Sequence, residues 1–199
     1  LSGETGPPQK GEITINGIDV TNFNPIARRQ TGAVFVPEKR IGQAAVSEFS
    51  LVKNSFLTTA DRMKFLSKGM ISWSKVKEYT EKVITQFNVK STGINALASS
   101  LSGGNLQKFI LGREILQNPK LIVISQPTWG VDAGAASAIH EQIKKLVKEG
   151  AAALIISQDL DEIFALSDRI SVISEGTLSK PIPSSDITAK EIGILMGTK

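Results

Sequence analysis

Residues 101–132 read LSGGNLQKFILGREILQNPKLIVISQPTWGVD, and this stretch decides the fold. It opens on a glycine-rich turn, runs through helix-forming residues to Gln117, and breaks at Asn118-Pro119. Proline lacks the N–H that a helix interior needs, so the first run ends there. Four apolar residues follow, Leu121 to Ile124, and read as a short buried strand. The strand delivers two uncharged side chains, Ser125 and Gln126, then a Pro-Thr turn and Gly130-Val131-Asp132.

Outward from this centre the same texture continues. Ile139, Ile143, Leu146 and Val147 line one face of the next helix, which Gly150 closes. Residues 151–157 form a second apolar strand, 159–166 a short helix and 169–173 a third strand. Short apolar strands separated by helices predict a parallel α/β sheet covered on both faces. Residues 185–196 read as a small terminal helix. Upstream, residues 11–36 are β-rich: Asn16-Gly17 signals a two-residue hairpin, and Gly32 to Val36 is a buried strand stopped by Pro37. Residues 38–50 read as a surface loop. Residues 51–90 read as helical, with Val76, Tyr79, Val83 and Phe87 on one stripe, Ser72 or Ser74 as a cap, and Trp73 and Tyr79 packed inside.

Composition narrows the chemistry. A length of 199 residues with 41% hydrophobic content supports one domain, or one carrying an inserted subdomain. There is no cysteine, which removes thiol catalysis and cysteine-rich zinc sites, and the single histidine, His140, removes a histidine-based metal site or triad. A net charge of +4 comes from scattered lysines, not a basic run, which argues against nucleic-acid binding. No apolar stretch reaches the roughly 20 residues that span a bilayer. The first residues lack the basic-then-apolar order of a signal peptide. The expectation is a soluble cytosolic domain.

Ser102-Gly103-Gly104 carries the strongest chemical signal. The serine hydroxyl and the glycine N–H groups stand at a helix start, where the helix dipole adds positive character, and a phosphate fits such a place. Alone, the tripeptide is a weak signal and reads by default as an ordinary glycine-rich cap with no ligand. Its surroundings decide the reading. LSGGNLQK, LIVISQ, GVD and SQDLDEI occur in order, after VFVPE at residues 34–38, and this series resembles the ATP-binding-cassette (ABC) ATPases over essentially the whole chain. LSGGN matches the family's signature, residues 121–126 its Walker B strand, Val131-Asp132 its D-loop, Gln158 its switch-histidine position and Glu38 its Q-loop position. VPEKRIGQ, QPTWGVDAGAASAIH and SQDLDEIFALSDRISVISEG look most like the second, C-terminal cassette of tandem-cassette bacterial importers. They lie nearest the nucleoside type served by basic-membrane-lipoprotein binding proteins, with the ribose and galactoside type as close competitor.

The resemblance implies a P-loop NTPase-like ABC core, with a parallel sheet, a small antiparallel β region and a helical subdomain. It implies one domain laid out as a β region and Q-loop strand (1–37), a helical subdomain (38–100), the signature-to-switch segment (101–184) and a C-terminal helix (185–199). The family pattern ends the Walker B strand in Asp-Glu, one for Mg²⁺ and one for the attacking water. Here Ser125 and Gln126 stand there, with Gln158 for the switch histidine and Glu38 for the Q-loop glutamine, so no catalytic residue is expected in this chain. No G-x-x-x-x-G-K-[ST] occurs in the sequence. The expectation is a truncated domain whose central phosphate-loop strand is absent, leaving a slot in the sheet beside residues 151–157.

Because cassettes of this family pair head to tail, the resemblance assigns Ser102, Gly103, Gly104, Asn105, Gln107 and Asp132 to an ATP, with its Mg²⁺, held by a partner cassette. The implied partners are an N-terminal cassette of the same protein, membrane permease subunits and, indirectly, a substrate-binding lipoprotein, on the inner face of the bacterial membrane. Self-association of the bare sheet edge is also expected. Readings of another class remain beside this one: a soluble ABC protein acting on ribosomes or DNA, and a regulatory module without ATP contact. Trp129 has two readings, packing on the other cassette or covering the strand end. Glu38, Lys39 and Arg40 are either a solvated turn or a loop leaning on membrane subunits.

Overall fold

The structure, a computed structural model, describes residues 1–197 of the chain. Its strands are β1 (Thr14–Ile15), β2 (Ile18–Asp19), β3 (Ala33–Val36), β4 (Leu66–Ser67), β5 (Met70–Ile71), β6 (Leu121–Ser125), β7 (Ala152–Ile156), β8 (Arg169–Ile170), β9 (Ile173–Ser174), β10 (Thr177–Leu178) and β11 (Ile182–Pro183). Its helices are α1 (Pro25–Gln30), α2 (Leu51–Thr59), α3 (Trp73–Gln86), α4 (Gly103–Ile115), α5 (Ala133–Lys148), α6 (Leu160–Leu166) and α7 (Ala189–Gly197). The chain divides into two compact units, Leu1–Ile156 and a second that begins at Ser157.

In the first unit, β3, β6 and β7 form a parallel sheet in the order β3-β6-β7, with Val34 beside Ile122 and Ile124 beside Ile155. Val34, Ile122 and Ile124 are fully buried. Helix α4 packs against β3, α2, α3 and α5 and is the axis of this unit. It buries Phe109, Ile110 and Leu111 completely. Helix α5 turns Ile139, Ile143 and Leu146 inward as expected, while Val147 is 37% exposed and lies outside that face. The antiparallel hairpin β1–β2 forms on Asn16-Gly17, both residues at positive φ (53° and 76°), which a type I′ turn requires.

The interval 51–90 is not helical throughout. Helices α2 and α3 are separated by a small antiparallel hairpin, β4–β5, turning on Lys68 and Gly69 at φ 50° and 77°. Ser72 occupies the cap position of α3 but makes no capping hydrogen bond to the backbone. Tyr79 is buried and donates its hydroxyl to the Arg113 carbonyl at 2.6 Å. Trp73 is 41% exposed and leans on Phe56, centroids 5.5 Å apart, so only half of the expected aromatic packing is interior.

The second unit has its own apolar cluster of Ile170, Val172, Ile187 and Ile192. The stretch 169–173 departs from expectation. It is two short strands, and β8 pairs antiparallel with β11 while β9 pairs with β10. Neither joins the parallel sheet. Among the described residues β7 is therefore the sheet's outer strand, with Leu154 and Ile156 42% and 50% exposed. The terminal helix begins at Ala189, later than residue 185, and the last two residues of the expected segment 185–199 lie outside the described residues.

Candidate functional site

Two helix starts meet in the first unit. Ser102 is the N-cap of α4, with extended φ/ψ of −63° and 156°. Its hydroxyl accepts the Asn105 N–H at a long 3.5 Å and the Asn105 side-chain amide at 2.9 Å. Asn105 in turn accepts the Lys90 N–H at 2.8 Å, which anchors the helix start to the segment behind it. Ser102 and Gly103 are exposed. The first turn of α4 contains no acidic side chain, so its positive end is not neutralised within the helix.

Asp132 caps α5, accepting the Ala135 N–H at 2.9 Å. That backbone bond first, with the nearby Lys108 charge contributing less, holds its carboxyl below the usual aspartate range. A Cβ placed on Gly104 would lie 3.7 Å from Asp132 Oδ2 and 3.8 Å from Val131 Cβ. The signature turn and the residues 131–132 turn are thus direct neighbours.

Gln107 goes elsewhere. It is 2% exposed, and its amide is engaged inside the chain: Nε2 donates to the Pro127 carbonyl at 2.9 Å and Oε1 accepts from Arg40 Nε at 3.0 Å. It does not present itself at the surface shared by Ser102 and Asp132. Arg40, read from sequence only as part of a loop, is the residue that sequence reasoning missed; its long-range partner has no signature in a single chain.

The carboxyl ends of β3 and β6 open at the same edge of the sheet, since Val36 lies level with Ile124. They release Glu38, which is exposed, and Ser125 and Gln126. Gln126 is buried and left-handed, φ 53°, with its N–H on the Ile156 carbonyl at 2.7 Å. Left-handed backbone at a residue other than glycine is strained by about 1–3 kcal/mol and persists where its surroundings hold it. Gln158 lies in the second unit, exposed and next to Asp159, the cap of α6.

The donor sets differ in what they suit. At the α4 start, a hydroxyl, two glycines and a first turn without acidic side chains fit a phosphate group. At the β6 end a neutral hydroxyl and an amide replace acids, and among the described residues no group of three or more His, Cys, Asp or Glu side chains is placed to hold a metal ion. A neutral hydroxyl and an amide are weaker partners for Mg²⁺ than carboxylates.

The fold and this pair of helix starts define a nucleotide-binding cassette, and the comparisons agree. The family model described as "ABC transporter" matches residues 1–129, and the chain belongs to that family. It is 38% identical to the nucleoside import ATP-binding protein NupA of Lactococcus lactis subsp. cremoris, covering 94% of this chain and 37% of that protein. It is 34% identical to the guanosine import ATP-binding protein NupO of Bacillus subtilis, over 94% of this chain and 36% of that one. It is 33% identical to the ribose import ATP-binding protein RbsA 2 of Rubrobacter xylanophilus, over 93% and 35%. The chain thus spans about a third of the length of these relatives. Among solved structures it resembles a dimeric ATP-binding cassette in a post-hydrolysis state bound to ADP and Pi, with TM-score 0.74, 19% identity, and 90% and 76% coverage. A nucleotide-free cassette from an ABC transporter gives TM-score 0.69 at 24% identity, with 92% and 73% coverage. Those likenesses bear on the fold. Among the described residues no helix is long and apolar enough to cross a membrane.

Proposed function

We propose that this chain is the degenerate second cassette of a bacterial nucleoside importer ATPase. It supplies its signature to an ATP held by the partner cassette. One observation carries the reading: Ser102, Gly103 and Asp132 share an exposed surface at two adjoining helix starts, while the β6 end holds Ser125 and Gln126. The chain is thus equipped to hold a phosphate from one side and unequipped to hydrolyse it.

When bound, ATP supplies the triphosphate whose hydrolysis powers transport. Ser102 and the N–H groups of Gly103 and Gly104 orient it, and Asn105 fixes the Ser102 rotamer. Asp132 lies along the same surface, with its carboxylate committed to the α5 cap. Gln126 can orient a water but cannot accept its proton, and loss of a positioned base lowers a rate by ~10²–10⁴-fold. Glu38 and Gln158 complete the set of degenerate positions. The working partners under this reading are an N-terminal cassette of the same protein, with its own Mg²⁺-bound ATP, the membrane permease subunits and a substrate-binding lipoprotein. The place of action is the cytoplasmic face of the cell membrane, with no role for nucleic acid. The layout 1–37, 38–100, 101–184 and 185–199 belongs to the same proposal.

The relatives named for nucleoside and guanosine import favour nucleosides as cargo, and the ribose relative supports sugar import as the second reading. Uptake of radiolabelled nucleoside and of ribose, in cells carrying or lacking the full-length protein, separates the two. Nucleoside uptake lost on deletion, with ribose uptake intact, is the expected result. Loss of ribose uptake alone overturns the assignment of cargo.

A further inference from the structure

Arg40 occupies a place that neither helix start explains. Its guanidinium lies between the first residue of α4 and the turn before α5. A Cβ built on Gly103 would stand 2.8 Å from Arg40 Nη1, and one built on Gly130 3.6 Å from Nη2. Gly103 therefore makes room for this side chain, and Gly130, left-handed at φ 61°, lies at ordinary contact distance on its other side. Its Nε donates to Gln107 Oε1 at 3.0 Å, and Gln107 passes the connection to the Pro127 carbonyl at 2.9 Å. Nη2 is buried with no hydrogen-bond partner, and burial lowers the guanidinium pKa. Holding an incompletely satisfied cation at the positive end of a helix opposes both solvation and the helix dipole. Such an arrangement persists when the surrounding structure fixes it.

The loop that carries Arg40 is fixed at both ends of α4. The Arg40 carbonyl accepts the Ala45 N–H at 2.7 Å, and Gly42 N–H returns to the Ala45 carbonyl at 2.8 Å, so residues 40–45 form a tight turn. Ala44 then offers its carbonyl to Nη2 of the buried Arg113 at 2.8 Å. Arg40 clips this loop to the first turns of α4 through Gln107, and Ala44 clips it to the last.

We infer that Arg40 is a positioning residue: wedged between Gly103 and Gly130 and held by Gln107, it sets the spacing between the Ser102 turn and the turn that leads to Asp132. The functional half of this inference rests on the reading of Ser102 as a phosphate-facing group. The spacing itself stands on the geometry alone. Displacement of the 38–45 loop would then shift both turns together, which makes the loop a lever on the nucleotide surface. Lysine cannot replace this arginine, because it has no Nε and no planar fork to span two glycines.

The test uses the full-length protein assembled with its partners, in R40A, R40K, Q107L and R40A/Q107L forms. Amide hydrogen exchange reads the spacing without reference to ATP. R40A and R40K should speed exchange at residues 103–107 and at 129–135 together by about tenfold, with the last two turns of α5 unchanged. The ATP titration reads function: KM should rise about tenfold in R40A and R40K with a smaller change in kcat, and R40A/Q107L should be no worse than either single variant. G103A should displace the Arg40 guanidinium and speed exchange at 129–135 with Arg40 present, and add nothing in R40A, where its methyl has space. Exchange at both turns equal to wild type in R40A and R40K overturns the inference. So does faster exchange confined to 38–45, or full rescue by R40K. If exchange changes as expected but neither Arg40 nor Ser102 variants alter ATP kinetics, the positioning role stands and the ATP reading of Ser102 is the one that fails.

Discussion

At the scale of single residues, the proposed function divides the chain's groups into those that hold a phosphate, at Ser102 to Gly104, and positions 125 and 126, which do not hydrolyse it. Serine and glutamine at positions 125 and 126 are neutral, so restoring S125D and Q126E tests whether they alone silence the chain. The expected outcome is no ATP turnover above background, since the sequence of this chain contains no phosphate loop to seat a nucleotide of its own. Phosphate release measured on the purified chain decides this, and turnover above buffer would contradict it. Asp132 gives a second prediction, in pH. Its carboxyl is depressed in the folded state, chiefly by the Ala135 N–H. A depressed carboxyl contributes stability that is present above the unfolded aspartate pKa and is lost as pH falls through the folded one. D132N keeps a capping oxygen without the charge. Wild type should therefore melt above D132N at neutral pH, with the gap closing below about pH 4. A gap in melting temperature that is constant with pH would count against the charge. The strand end, the glycine turn and Asp132 were all readable because each chemistry is local. The roles of Arg40 and Gln107 were not, because a bond spanning 67 residues leaves no local pattern.

At the scale of elements, α4 is the part on which the site depends. Glu114 is fully buried and accepts four hydrogen bonds: from Arg29 at 3.0 Å, Arg113 at 2.9 Å, Thr58 at 2.7 Å and Gln117 at 2.8 Å. This single carboxylate joins α1, α2 and α4. Removing one partner of a buried ion pair leaves the other charge uncompensated, so E114A should lose about 3–5 kcal/mol in chemical denaturation. A loss under ~1 kcal/mol would mean that water or a rearranged Arg113 replaces it. Gly112 marks where α4 meets α3: a Cβ there would lie 2.6 Å from the Phe87 ring. G112A should destabilise by about 1–3 kcal/mol through overpacking, read by the same denaturation. Helix α5 was legible because its apolar spacing extends over several turns, and α4, buried on nearly every side, was legible from its glycine-rich start and its Asn118-Pro119 stop. The β4–β5 hairpin was not, since strands of two residues carry no alternation and its turn sits among lysines. Residues 169–173 were legible as extended chain, but their pairing was misassigned. Apolar content predicts a strand, whereas partner choice depends on residues 177–183 further along.

At the scale of the whole molecule, the α/β cassette was legible from the order of its motifs, whereas the open edge of β7 is a property of assembly. An outer strand with exposed Leu154 and Ile156 offers unpaired backbone groups to another chain. Sedimentation velocity of the isolated chain should show concentration-dependent association, which L154K reduces. A monomer at every concentration would contradict this. The chain spans about a third of its relatives' length, and under the proposed function it lends one face to an ATP that another cassette holds. The most direct test of that claim is steady-state ATP turnover by the full-length assembly carrying S102R, set beside S125A/Q126A. The account predicts a fall of ~10²–10³-fold for S102R, the scale of losing a preorganised donor at a reacting phosphate, and wild-type turnover for S125A/Q126A. Turnover that survives S102R but collapses in S125A/Q126A would contradict it.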